Sequence, residues 1–169
     1  MNPTMRAFIA TYCLAACGAW SVLFHATDTA LIVPQTIFYA VLCMNTYFSI
    51  RFFSAFTPAS LFQRALDGVL LCSYLMLAVS LGTSILFPYC VVVIFTLAPI
   101  KYVHMLGKTP YDRTVRKKIA IDLAGTLLGV CVLGIALTGS AQASAWTLAI
   151  LFLLANVYLM LVRPMYRHE

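Results

Sequence analysis

KYVHMLGKTPYDRTVRKK, residues 101–118, is the only substantial hydrophilic stretch in the chain, and it holds six of the eleven Lys and Arg residues. On both sides of it the sequence is apolar. The 33 residues between Asp67 and Lys101 carry no charge at all. As one helix they would extend roughly 50 Å at about 1.5 Å per residue, against a hydrocarbon thickness of about 30 Å. Two crossings therefore precede the basic stretch.

The same reasoning divides the whole chain into six apolar segments, predicted as helices over approximately 7–24, 30–50, 67–83, 85–106, 119–138 and 145–162. The gaps between them alternate in charge. Arg6 precedes the first segment, Arg51 and Arg64 flank the second gap, the 101–118 cluster fills the fourth, and Arg163 and Arg167 follow the sixth. The gaps at 25–29, 81–84 and 139–144 contain neither Lys nor Arg. Basic residues resist translocation and stay on the cytoplasmic face. The expectation is an all-α integral membrane protein: one six-helix bundle, both termini cytoplasmic, with 107–118 as a basic cytoplasmic loop. A loop-poor chain with this asymmetry suits a bacterial inner membrane.

Composition excludes the ordinary soluble classes. The chain is 63% hydrophobic and 9% charged, with a mean hydropathy of +0.95, whereas soluble domains carry roughly 25% charged residues. The net charge of +6 does not indicate nucleic acid, because the cations border apolar spans, where they act as anchors and partners of anionic lipid headgroups. The segment at 7–24 is long for a signal-peptide core and is followed by no A-x-A site, so it reads as a helix. All six cysteines fall within spans. Cys13 and Cys17 share a helical face, but no C-x-x-C, His or carboxylate accompanies them, and small packing residues account for them. No metal or cofactor is implied: three scattered histidines do not supply paired haem ligands, and no G-x-G-D protease motif or T-V-G-Y-G filter is present.

Three groups of residues stand out. Helix 2 carries a polar stripe, with Gln35, Tyr39, Thr46 and Ser49 at steps of four, seven and three, and Asn45 on an adjoining face. Such a face points inward, either as interhelical hydrogen bonds or as a path for substrate or ion. The second group is ionisable and lies towards the cytoplasmic end: Arg51, Asp67, Lys101, His104 and Asp122. Here Asp122 can pair with Lys118 four residues earlier. Lys101 either snorkels to headgroups or forms a buried pair with Asp122 that couples or gates transport. Third, Gly125, Gly129 and Gly134 mark a close helix contact on helix 5, within the chain or between protomers.

Two functional readings follow. One is a small transporter or channel, homo-oligomeric, with its path along helix 2 and its coupling or gating residues at the cytoplasmic end. The other is a non-catalytic subunit that anchors or assembles a larger membrane complex, docking an acidic partner or anionic lipid on its basic loop. A third, an intramembrane enzyme acting on lipid, requires Asp67, His104 and Asp122 to converge on one cavity.

Overall fold

A computed structural model of the protein describes residues 2–25, 28–57 and 60–162. Thr27, Pro58, Arg163, Tyr166 and Arg167 lie outside the described residues, as does the side chain of His25. Among the described residues there are six α-helices and no strand: α1 (Pro3–His25), α2 (Thr29–Phe53), α3 (Leu61–Val79), α4 (Leu86–Val103), α5 (Asp112–Leu137) and α6 (Ala141–Val157), the last continued by a π-helical turn over Tyr158–Val162. All six are long and apolar enough to cross a membrane.

Capping chemistry sets the ends. Asp28 accepts from the backbone N–H of Ala30 at 2.9 Å and opens α2, satisfying one of the free N–H groups at a helix start. Ser60 does the same for α3, accepting from Gln63 at 3.2 Å. This cap starts α3 six residues before the expected 67. Asp67 marks the first charge bordering the uncharged span, whereas the helix begins at its capping serine. The α3–α4 turn falls over Leu81–Ser84, where Gly82 adopts a φ of +86° that other residues resist. Thr83 Oγ1 then accepts from the N–H of Phe87 at 3.2 Å.

The basic cluster is less of a loop than its polarity suggests. α5 begins at Asp112, so residues 112–118 of the expected loop are helical, and the true connection is a short turn around Gly107, whose φ is +71°. Asp112 accepts from the Gly107 N–H through both carboxylate oxygens, at 3.0 and 3.2 Å, and ties the turn to the helix start.

The principal contacts close a ring in the order α1, α2, α6, α5, α4, α3 and back to α1. The half of the ring away from the basic end is packed solid. Phe38, Leu77, Leu81, Phe87, Val91, Ile94 and Leu148 are each at most 2% exposed there, with the Phe38 ring 4.5 Å from Phe152 and 5.8 Å from Phe87. A smaller cluster of Phe52, Phe53, Tyr102, Met105 and Val115 joins α2, α4 and α5 at the basic end.

Glycines bring α4 and α5 together. The Phe95 ring packs against Gly125, and the Val92 backbone approaches Gly129, where an added Cβ would lie 3.5 Å from Val92 Cα. The close contact predicted for helix 5 is therefore made to α4 of the same chain. Gly134 is different: nothing lies within 4 Å of the position its Cβ would take.

Candidate functional site

Between the packed half and the basic end, the ring encloses a cavity of about 630 Å³. Its lining is layered by helix register. The floor is apolar: Leu14 of α1, Leu42 of α2, Ile94 and Phe95 of α4, with Tyr74 of α3 beside them. Above it come Asn45, Thr46 and Asp122, then Ser49, Asp67, Lys101, Tyr102 and Lys118. At the mouth stand Arg6, Ser54, Thr57, Gln63 and Arg64. On α3 the lining runs from Gln63 to Tyr74, roughly 17 Å of helix at about 1.5 Å per residue, a little over half the thickness of a bilayer core of about 30 Å.

The polar stripe of α2 divides at this floor. Asn45, Thr46 and Ser49 line the cavity; Thr46 shares a hydrogen bond with the Tyr74 hydroxyl at 2.8 Å, and Ser49 one with the Tyr102 hydroxyl at 2.6 Å. Gln35 and Tyr39 lie beyond it and are held by backbone. The Gln35 side chain donates to Thr83 O at 2.9 Å and accepts from the Gly82 N–H at 2.6 Å, clamping the α3–α4 turn. Tyr39 donates to Leu14 O at 2.8 Å and packs its ring on Gly18. One helical face thus serves two depths. A 3.6-residue period reports the face and says nothing about how far along it water reaches.

The ionisable residues also sort differently from the expected buried Lys101–Asp122 pair. Lys101 donates to Asp67 at 2.6 Å, across from α4 to α3. Asp122 is held instead by Lys118, one turn earlier on α5, at 2.5 Å. This second pair is deeply enclosed, with side chains 7% and 1% exposed. Lys118 Nζ also sits 5.6 Å from the centre of the Tyr102 ring, a cation–π arrangement, and so connects to the Ser49–Tyr102 hydrogen bond. The second oxygen of Asp122, Oδ2, has no hydrogen-bond partner.

Arg51 and His104 are not among the cavity's lining residues. Arg51 is exposed in the last turn of α2. His104 lies 3.4 Å from Lys108 Nζ, and its ring is 5.0 Å from that of Phe62. Asp67, His104 and Asp122 therefore do not converge: the two carboxylates face the cavity and the histidine does not. Among the described residues, no three His, Cys, Asp or Glu side chains are grouped as a metal site would require.

Sequence reasoning did not single out Arg6, Gln63, Arg64, Tyr74 or Tyr102 as site residues. In the sequence the two arginines read as topological anchors, and Gln63 lies in an expected connection. The tyrosines carry no distinguishing signal in one sequence. Compared with known protein families, curated proteins and solved structures, the chain matches none significantly.

Proposed function

We propose that this chain is a small membrane transporter or channel for a small solute, with the cavity as its binding chamber, captured in a form open towards the cytoplasm. The observation that carries this reading is the polarity of the chamber and its single closed end. Hydroxyl, amide and paired ionic side chains from four helices face a space of about 630 Å³, within the range of roughly 300–1,000 Å³ typical of small-molecule sites. Polar groups at membrane depth are costly unless they pair or face a watery path. Here they surround such a space. The Phe38, Phe87 and Phe152 plug separates it from the far side, as alternating access requires.

The orientation follows from charge. Arg6, Arg64, Lys101 and Lys118 all belong to the chamber or its mouth, and cations stay cytoplasmic. On this reading the Lys118–Asp122 pair is the coupling element: its free Oδ2 and its link through Tyr102 to Ser49 let a solute in the chamber sense the state of the pair. Lys101–Asp67, closer to the mouth, acts as a gate between α4 and α3.

The test is flux in reconstituted vesicles, using a panel of small anions, cations and neutral solutes. Flux of at least one above protein-free vesicles, lost on Asn45→Leu or Asp122→Asn, is expected. No flux for any solute, together with a stable hetero-complex after gentle solubilisation, would replace this reading with that of an assembly subunit.

A further inference from the structure

The charges lining the chamber do not balance. Among the described residues, four cations face two carboxylates, Asp67 and Asp122, and each carboxylate is already held by a lysine. Arg6 and Arg64 have no carboxylate within ion-pair distance among the described residues. They belong to the first turns of α1 and α3, which are neighbours in the ring, so both stand at the mouth on one wall.

A second, independent feature lies beside them. Gln63 lines the cavity at 1% exposure, and neither its amide nitrogen nor its amide oxygen has a hydrogen-bond partner. Ser54 Oγ, on the facing end of α2, is likewise shielded and unpartnered. A buried amide with both ends unmade is destabilising. A ligand that supplies an acceptor for the N–H groups offsets part of that cost.

We infer that the chamber takes an anion with an apolar body: a phosphate or carboxylate head held by Arg6, Arg64, Gln63 and Ser54, and a hydrocarbon or aromatic portion against Leu14, Leu42, Ile94 and Phe95. Planar guanidinium groups match the paired oxygens of such heads and bind them in bidentate fashion. The excess of positive charge draws the head to the mouth, while the apolar floor has nothing to offer a second charge. The two carboxylates do not compete for the arginines, because Lys101 and Lys118 occupy them. The assignment uses the chamber of the transport reading but concerns what binds there, not whether it crosses.

The experiment is calorimetric titration of the full chain in neutral detergent with three probes of one body and different heads: hexyl phosphate, hexyltrimethylammonium and hexanol. Hexyl phosphate is expected to bind tightest, more weakly as salt rises. Arg6→Gln and Arg64→Gln should each reduce its affinity about tenfold or more, the usual scale for losing a charge-assisted hydrogen bond; Arg64→Lys should lose less. Gln63→Leu should weaken hexyl phosphate binding yet raise the unfolding temperature of the free protein, a combination that a merely structural Gln63 would not give and that also controls for folding. Equal binding of all three probes, or unchanged hexyl phosphate affinity in both arginine variants, would overturn the inference. Dihexanoyl phosphatidylglycerol identifies the source of the head: if it displaces hexyl phosphate from the wild-type chain and binds more weakly to Arg64→Gln, the natural ligand is an anionic lipid; if it does not displace hexyl phosphate, the ligand is a soluble organic anion, and either result supports the anion site. Hexyl phosphate binding without vesicle flux removes the transport reading and keeps the anion site. Flux of a solute together with equal binding of the three probes does the reverse.

Discussion

Replacing Lys118 with Met is the sharpest perturbation the structure offers, because it strands a carboxylate. Asp122 lies ten residues into α5, about 15 Å from the helix start, and its side chain is 1% exposed with one oxygen already unpartnered. It is too short to reach headgroups. Removing one partner of a buried pair costs about 3–5 kcal/mol, because the other charge is left uncompensated. The cavity at Asp122 can admit water, which places the expected loss at the lower end, about 3 kcal/mol. The reverse variant, Asp122→Asn, should cost less, about 1–2 kcal/mol: the freed lysine lies only six residues into α5 and keeps both the Tyr102 ring and the reach to turn towards the mouth. Replacing both, Lys118→Met with Asp122→Leu, should be close to neutral, since exchanging an ion pair for apolar packing removes both desolvation costs. The assay is reversible unfolding in mixed micelles, followed by tryptophan fluorescence, with wild type, Lys118→Met, Asp122→Leu and the double variant as the corners of a double-mutant cycle and Asp122→Asn measured beside them. A Lys118→Met loss within about 0.5 kcal/mol of zero, or a double variant as unstable as the single, would refute the claim that this is an enclosed ion pair.

Other predictions follow from the same packing. Gly125→Leu should destabilise by about 1–3 kcal/mol through overpacking against Phe95, whereas Gly134→Leu should change stability little, since its side faces open space; equal effects in thermal unfolding would contradict the α4–α5 contact. Gln35→Leu leaves the Gly82 N–H and Thr83 carbonyl without their partners and should cost about 1–3 kcal/mol, while leaving flux per folded molecule unchanged; a selective loss of flux would instead place Gln35 on the path. Asp67→Asn should alter stability by less than about 1 kcal/mol, because its carboxylate is half exposed and such pairs contribute little, yet it should change flux if the Lys101 pair is a gate. Unaltered flux would reduce that pair to an anchor.

The number and sequence of helices were legible because a bilayer allows only one reading of 33 uncharged residues, and alternate basic gaps leave little choice of connection. Element ends were less so. Ser60 and Asp112 extend helices into stretches whose charge reads as loop, because polarity near a membrane surface marks the water boundary rather than the helix boundary. For the site, Asn45, Thr46 and Ser49 stood out from the polar period of α2, and the i,i+4 spacing allowed the Lys118–Asp122 pair. The partner of Lys101 did not, since α3 and α4 are brought together by the order of the ring, which no local pattern encodes. Gln35 and Tyr39 show the complementary limit: they share a face with the cavity residues, but the aromatic packing around Phe38 stops the cavity before it reaches them.

On the proposed reading, the polar chamber lies at membrane depth and opens on the basic, cytoplasmic side alone. That arrangement is tested most directly by a single cysteine at Asn45, in a chain whose six native cysteines are replaced by Ala, labelled with a membrane-impermeant thiol reagent in right-side-out and inside-out vesicles. Labelling only in inside-out vesicles, where the cytoplasmic face is presented to the reagent, is the expected result. Labelling from the outer face, or from neither, would contradict the account.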